Sequence, residues 1–320
     1  MKKGLLIMLM AAALIGSAAC SAGASSRKSG DGSGISDSNT DSDNHSKSDS
    51  EKATEAGEDD GTELKETQII NEAGDTLSER IRVPEGYSRT REKADSLAEF
   101  LRSYKLKPAG SPVLLYDGSS KGNQSDHVAV FELPIEDYDL QQCADSVMRF
   151  YAEYFWNTKQ YDKIAFHFTN GFLAEYSKWR EGYRISVSGN DVAWTKKASY
   201  DDSYECFVTY MKSVFTYAGT LSMETEAAQI ELDDIRVGDV FLYGASPGHV
   251  VMIVDVCENE AGKKAFLLGQ GYMPAQEFHL LKNNLHDDDP WYYEDEVTYP
   301  FRTPEYTFKE GSLKRLSYLD

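Results

Sequence analysis

The chain has 320 residues, of which 33 are basic and 53 are acidic, and its net charge is −20 at neutral pH. Because nucleic acids and anionic lipid surfaces are polyanions, this charge argues against nucleic acid as a partner and against direct adsorption on anionic lipid. The roughly 250 residues from Thr67 onward are enough to form one large domain with its own core.

The N-terminus has the pattern of a secretory signal peptide. Lys2 and Lys3 precede an apolar run over residues 5–15, which is too short to span a bilayer, and small residues then lead to Cys20. A cysteine directly after small residues resembles a bacterial lipoprotein box. The resemblance implies a signal peptide of residues 1–19, lipidation at Cys20 and a location on the extracytoplasmic face of a bacterial membrane. The alternative is a soluble secreted protein cut near Ala19.

Residues 20–66 are predicted to form a lipidated, disordered linker. They are rich in serine, glycine and charged residues and contain almost no large apolar side chain, so they cannot bury enough surface to offset the cost of ordering. Such a tether predicts a partner away from the membrane, in the cell envelope: a cell-wall component or a surface protein. A plain spacer that keeps the domain clear of the lipid headgroups is the alternative.

The remaining residues, 67–320, are predicted to form a single domain with a helical insertion around 150–230. Apolar patterns predict strands at residues 81–87, 127–133 and 164–168, and helices at 96–104, 140–156 and 203–217. Asp139 is the predicted N-cap of the helix over 140–156. Helices and short strands are interspersed without a repeating βαβ pattern, so we predict an α+β fold with an antiparallel sheet.

A β-hairpin is predicted between residues 248 and 270. Two apolar runs are joined by the polar turn 258–264, and the polar exceptions lie at the ends: His249 opens the first run and Gln270 closes the second. In an antiparallel pair these two ends lie side by side, so an imidazole and an amide would share one rim of the sheet. A thiol from a helix packed on that rim would complete a group suited to thiol hydrolysis.

Two cysteines fall near predicted helix starts, where the helix dipole lowers the pKa of a thiol. They are Cys143 and Cys206, and each has acidic neighbours that favour the neutral thiol. Each also lies on an apolar helix face, so burial as a small hydrophobic residue is the alternative interpretation. Cys257, at a strand end, is predicted to be structural. An odd number of cysteines after lipidation of Cys20 does not indicate a disulfide framework.

The hairpin region is similar to NlpC-type and CHAP papain-like cell-wall hydrolases. The resemblance rests on the Gly-Asp-Val-Phe run at 238–241, the Gly-His-Val run at 248–250 and a polar residue closing the next strand. It implies a papain-like core in which His249 is the general base and Gln270 orients it. Cys206 has the better spacing to His249 for a nucleophile.

A longer resemblance covers most of the folded part. The motifs at residues 141–145, 217–220, 238–241, 247–249 and 272–276 together resemble the bacterial domain of unknown function 4846, a family of uncharacterised lipoproteins. The resemblance implies no established activity. Its Gln-Gln-Cys-Ala-Asp run favours Cys143 as the nucleophile over Cys206, and Gln142 would then be an oxyanion donor.

Two functions follow as hypotheses. The first is a lipid-anchored thiol hydrolase that acts on cell-wall peptide or amide bonds through Cys143, His249 and Gln270. The second is a catalytically inactive cell-wall or protein-binding lipoprotein that uses the same cleft. His279 is a further candidate for the polar rim. The sequence has no paired-histidine zinc signature and no glycine-rich phosphate loop, so neither a metal nor a cofactor is expected.

Overall fold

The computed structural model describes residues 68–319. The predicted signal peptide, the lipidation at Cys20 and the whole linker of residues 20–66 lie outside this range, as do residues 67 and 320. None of the helices between residues 68 and 319 is long and apolar enough to cross a membrane.

Helices and strands are mixed over the first part of the described residues, and strands predominate after residue 225. The α-helices are α1 (Leu77–Arg80), α2 (Leu97–Arg102), α3 (Cys143–Asn157), α4 (Tyr176–Arg180), α5 (Tyr204–Tyr217) and α6 (Thr220–Thr225). The strands are β1 (Tyr87–Arg89), β2 (His127–Val130), β3 (Ala165–His167), β4 (Leu173–Glu175), β5 (Tyr183–Ser188), β6 (Asp191–Lys196), β7 (Ala227–Gln229), β8 (Val240–Tyr243), β9 (His249–Asn259), β10 (Lys264–Gln270), β11 (His279–Leu281), β12 (Tyr292–Tyr293), β13 (Phe301–Arg302), β14 (Thr307–Phe308) and β15 (Leu313–Leu316). Short 3-10 helices span Tyr161–Lys163, Leu232–Asp234, Glu294–Glu296 and Ser317–Leu319.

One antiparallel sheet organises the domain. Within residues 68–319 it contains nine strands, seven of them in the order β2-β11-β10-β9-β8-β15-β7, while β1 adds to β9 and β12 adds to β10. Every strand pair in it is antiparallel. The predicted α+β fold with an antiparallel sheet is therefore confirmed.

The predicted hairpin is the centre of this sheet. β9 and β10 pair from Lys264 opposite Glu258 to Gly269 opposite Met252, and the side chains of β9 are buried from His249 to Cys257. Such burial explains the nearly continuous apolar sequence of β9, because helices and loops cover both faces of a central strand. The hairpin thus fixes His249 at one end of the most buried strand pair.

Helix α3 packs against β9 and β10 and contributes the largest helical part of the core. Its residues from Cys143 to Phe155 are all buried. The chain between α3 and the main sheet, predicted as a helical insertion around 150–230, contains α4, α5 and α6 together with the hairpins β3–β4 and β5–β6.

The start of α3 differs from the prediction. The helix begins at Cys143 and its N-cap is Gln142, whose backbone N–H donates to the Asp145 carboxylate at 3.0 Å. Asp139 was the predicted N-cap, and this is wrong. Its carboxylate instead accepts hydrogen bonds from the Gln142 side chain at 3.0 Å and from the Ala275 N–H at 2.7 Å. Cys143 is therefore the first residue of the helix.

The Gly-Asp-Val-Phe run at 238–241 has a structural role. Gly238 has a φ of +98°, and a Cβ atom there would lie 2.6 Å from the Tyr151 hydroxyl, so only glycine fits. Asp239 accepts hydrogen bonds from Arg315 Nε and Nη2, both at 2.9 Å, and from the Arg236 N–H at 2.8 Å. The run closes the loop that leads into β8.

Candidate functional site

His249 and Gln270 lie beside each other at one end of the central hairpin. The distance from His249 Nε2 to Gln270 Oε1 is 2.8 Å, and both side chains are buried. An amide oxygen can only accept a hydrogen bond, so Nε2 of the imidazole is the donor. The lone pair of His249 is then on Nδ1. The sequence pattern predicted these two residues on one rim of the sheet, and in the structure both lie there.

Aromatic rings enclose the imidazole. The centroids of the Tyr272 and Tyr306 rings each lie 4.7 Å from that of His249, and the Phe308 ring stacks at 6.1 Å. This burial lowers the pKa of His249 to about 4, although the hydrogen bond with Gln270 acts in the opposite direction. The imidazole is therefore neutral at physiological pH.

Cys143 reaches the same end of the hairpin from α3. The backbone N–H groups of Ala144 and Val250 lie near its sulfur and act to lower the pKa of the thiol. Because Val250 follows His249 in β9, this proximity places the thiol near the start of that strand. Burial and the nearby charge of Asp145 nevertheless raise the pKa of Cys143 to about 11, so the neutral thiol is the resting form.

The chain at the end of β10 also packs closely against the first turn of α3. A Cβ atom added at Gly271 would lie 2.5 Å from Ser146 Oγ and 3.1 Å from the Gln142 carbonyl oxygen. Glycine directly after Gln270 therefore allows the strand end and the helix start to approach closely. This approach brings Cys143, His249 and Gln270 to one region of the molecule.

Cys143 lines an open cleft of about 470 Å³. The walls are the first turn of α3, the start of α6 at Gly219 and Thr220, and the loop over residues 245–248 that leads into β9. A cleft of this size is within the range of small-molecule and peptide subsites. A substrate in it would meet the sulfur from the solvent side.

The other two cysteines of the described residues have different surroundings. The Cys206 thiol interacts with Trp179, Asp201 and Arg184, none of which contributes to the central hairpin. Cys257 is paired opposite Ala265 at the far end of β9, about 26 Å along the strand from its first residue at the usual rise. Neither thiol shares the His249 environment that Cys143 contacts.

The side chain of Gln142 points to a carboxylate. Its Nε2 donates to Asp139 Oδ1 at 3.0 Å. The role of Gln142 as an oxyanion donor stays a prediction. The Ala144 N–H near the Cys143 sulfur is a further donor at the helix start, where the helix dipole also favours negative charge.

Sequence reasoning missed two charged residues behind Gln270. Oε2 of Glu305 accepts hydrogen bonds from Gln270 Nε2 and from Lys121 Nζ, both at 2.6 Å. His279, the weaker candidate of the polar rim, lies close by, with Nε2 at 3.5 Å from both Gln270 Nε2 and Lys121 Nζ. Lys121 and Glu305 lie in loops without periodic pattern, so nothing in the local sequence connected them to the hairpin.

Glu305 is ionised. Burial raises the pKa of this carboxyl, but His279, whose Nε2 lies 3.6 Å from Oε2, together with the hydrogen bond and charge of Lys121, outweighs that effect and lowers the pKa to about 2. Glu305 and Tyr306 also line a larger cavity of about 960 Å³ formed by the segment 283–307. Of these two cavities within residues 68–319, Cys143 lines only the cleft beside α3.

Fold and site together define an α+β protein with a central antiparallel hairpin and a buried cysteine, histidine and glutamine at one end of it. No group of three or more His, Cys, Asp or Glu residues suited to holding a metal ion occurs in the described part of the chain.

The family model for the domain of unknown function (4846) matches residues 77–315. This is more than half of the chain, and the protein belongs to that family. No curated protein and no solved structure matches the chain. The similarity to NlpC-type and CHAP hydrolases receives no support from these comparisons.

Proposed function

We propose that this protein is a papain-like thiol hydrolase that cleaves peptide or amide bonds of the cell wall, anchored by a lipid at Cys20 on the extracytoplasmic face of the membrane. One observation carries the proposal. The sulfur of Cys143, at the first position of a helix, lies near the N–H of Val250, which directly follows a histidine that is hydrogen-bonded to Gln270. A nucleophile, a base and a group that orients the base are the parts that thiol hydrolysis requires.

The roles follow from the atoms that are available. Nδ1 of His249 takes the thiol proton as the Cys143 sulfur attacks the substrate carbonyl carbon. The imidazolium then gives this proton to the leaving amine as the carbon–nitrogen bond breaks, which leaves a thioester. Water, deprotonated by Nδ1, hydrolyses the thioester and restores the thiol. Backbone N–H groups at the start of α3 would stabilise the negative charge on the carbonyl oxygen.

The resting proton positions affect the rate of this chemistry. The pKa values of about 11 for Cys143 and about 4 for His249 describe a neutral thiol and a neutral imidazole. The proton therefore moves during attack and not before it, as in hydrolases whose nucleophile is activated by general base catalysis. Gln270 orients the ring but has no charge with which to stabilise an imidazolium.

The neutral Cys143 thiol and the uncharged Gln270 behind the histidine favour a second candidate function. A protein whose site holds a protonated thiol and lacks a carboxylate behind the histidine suits a catalytically inactive cell-wall or protein-binding lipoprotein that uses the same cleft. Its partner would again be a cell-envelope component, reached from the membrane through the linker of residues 20–66.

Digestion of purified peptidoglycan by the full-length lipidated protein in detergent tests the two proposals. Mass spectrometry of the released fragments identifies the bond that is cut. We expect Cys143→Ser and His249→Ala to abolish fragment release and Cys206→Ser, the matched cysteine control, to retain it. Activity that persists in both site variants would refute the thiol mechanism. If the wild-type protein releases no fragments, its retention on peptidoglycan sedimented by centrifugation would support the binding function, provided that retention is lost on Leu221→Arg, an exposed change in the cleft wall.

A further inference from the structure

The orientation of the Gln270 side chain is determined by Glu305. An ionised carboxylate has no hydrogen to donate, so the group of Gln270 that lies 2.6 Å from Glu305 Oε2 must be its NH₂. The amide oxygen then faces the opposite way, toward His249 Nε2 at 2.8 Å. One hydrogen bond therefore fixes the direction of the next.

The tautomer of His249 follows from this direction. Because the amide oxygen of Gln270 accepts, the imidazole proton is on Nε2 and Nδ1 keeps its lone pair. An amide turned by 180° would present its NH₂ to Nε2, and the proton would move to Nδ1. A ring protonated on Nδ1 cannot take a proton from the thiol through that nitrogen.

Lys121 and the turn around Glu305 hold the carboxylate in place. The Lys121 ammonium, only 9% exposed, donates to the same oxygen at 2.6 Å. Tyr306 N–H donates to Thr303 Oγ1 at 3.2 Å, and Thr303 N–H donates to the Tyr306 carbonyl oxygen at 2.9 Å. These bonds close a turn over residues 303–306, so Glu305 has little freedom to move away from Gln270.

His279 completes the surroundings of the carboxylate. Its Nδ1 lies 2.9 Å from the Glu277 carbonyl oxygen, to which it donates, and its Nε2 faces the Lys121 ammonium at 3.5 Å. Since an ammonium group can only donate hydrogen bonds, Nε2 of His279 accepts one from Lys121. The second hydrogen of the Gln270 NH₂ group also faces an acceptor on this side, because Gln270 Nε2 lies 3.5 Å from His279 Nε2. His279 therefore favours the same orientation of the amide.

From this geometry we infer that Glu305 is a positioning residue, which orients the Gln270 amide and through it holds His249 in the tautomer whose Nδ1 can accept a proton. The catalytic consequence rests on the proposed thiol hydrolysis, but the tautomer itself does not. Removing the acceptor would leave the Lys121 ammonium without its carboxylate. The amide oxygen of Gln270 would then turn toward Lys121, and the imidazole proton would move to Nδ1.

Two variants of Glu305 separate orientation from charge. Glu305→Met removes the acceptor at similar length. Glu305→Gln removes the charge but keeps an oxygen that accepts from both Lys121 and Gln270. We expect Glu305→Gln to behave as the wild-type protein and Glu305→Met to change the tautomer. Glu296→Met is the matched control, because Glu296 lies in the same segment and contacts His286 instead.

The tautomer is measured by long-range ¹H–¹⁵N correlation spectra of full-length protein labelled on histidine nitrogen. The chain has six histidines, and the His249 signals are those lost in His249→Gln. We expect His249 protonated on Nε2 in the wild type, Glu305→Gln and Glu296→Met, and predominantly on Nδ1 in Glu305→Met. Circular dichroism establishes that each variant is folded; if Glu305→Met does not fold, Glu305→Leu replaces it.

Peptidoglycan digestion gives the second readout. In Glu305→Met we expect kcat to fall by about tenfold or more, as for other bases held in the wrong tautomer, with little change in KM and with recovery in Glu305→Gln. An unchanged Nε2–H tautomer in folded Glu305→Met would overturn the inference. A wild-type protein with no hydrolytic activity would overturn the proposed function alone, because the tautomer shift is observed without substrate.

Discussion

The carboxyl group of Asp145 lies in the first turn of the helix that begins at Cys143, and, after burial, its charge is the next largest effect that raises the pKa of the Cys143 thiol. Asp145 itself is buried, with Oδ2 bound by the Gln142 N–H and Oδ1 without a hydrogen-bond partner. Burial raises the pKa of Asp145 to about 8. Two coupled groups at the helix start therefore titrate far from their ordinary ranges.

The first prediction concerns the reactivity of Cys143. With a pKa of about 11, the thiol reacts slowly with iodoacetamide at pH 7, and its rate rises by about tenfold per pH unit up to that pKa because the thiolate is the nucleophile. Asp145→Asn should lower the pKa and speed alkylation above pH 8, where the wild-type carboxyl is charged. Mass spectrometry of the alkylated peptide gives the rate. Asp137→Asn, an exposed change nearby, is the control, and equal rates in all three proteins would contradict the prediction.

The second prediction concerns stability and pH. The pKa of Asp145 rises from 3.8 in the ordinary state to about 8 in the folded protein, so between these values the folded state binds more protons than the unfolded state. The contribution of Asp145 to the free energy of unfolding is therefore complete below pH 4. It is lost as the pH rises toward 8, at up to about 1.4 kcal/mol per pH unit. Asp145→Asn should flatten this decline in urea unfolding measured from pH 4 to 8. The same slope in wild type and variant would show that Asp145 is not its source.

The third prediction concerns the buried Asp255. Its two carboxylate oxygens accept from Arg89 Nε and Arg102 Nε, both at 2.7 Å, and its side chain is fully buried. Asp255→Ala leaves the largely buried Arg102 without its main partner and should lower the free energy of unfolding by about 3–5 kcal/mol. Glu99→Ala removes an exposed partner of the same arginine and should cost under about 1 kcal/mol. Urea denaturation compares them, and similar losses for both variants would argue against a central role for Asp255.

The fourth prediction concerns Gly238. An alanine there must adopt a φ of +98° and place its Cβ 2.6 Å from the Tyr151 hydroxyl. We expect Gly238→Ala to lower the free energy of unfolding by about 1–2 kcal/mol for the backbone and about 1–3 kcal/mol more for overpacking. Gly86→Ala isolates the first effect, because Gly86 has a φ of +79° with nothing near its Cβ position. Thermal or urea unfolding should rank wild type, Gly86→Ala and Gly238→Ala in that order of decreasing stability.

Several elements were predictable because their signals are local. Ser203 caps α5 through its hydroxyl, which accepts from the Cys206 N–H at 3.2 Å, and the apolar face of the helix follows directly. Ser96 caps α2 in the same way. The start of α3 was misplaced because Asp139 has the side chain of an N-cap but bonds to Gln142 and Ala275 instead, and Ala275 is distant in sequence.

By itself, the sequence determined the antiparallel hairpin and the placement of His249 and Gln270 at its ends, because apolar runs, turn composition and strand length are properties of neighbouring residues. Only the tertiary structure decided that the Cys143 thiol lies near that rim and that Glu305 is bound to Gln270 behind it. The proximity of Cys143 to Val250 joins residues more than 100 positions apart, and the hydrogen bond from Gln270 to Glu305 joins a strand to a distant turn. Such contacts arise from the packing of α3 and the 303–306 turn on the sheet, which no local pattern encodes.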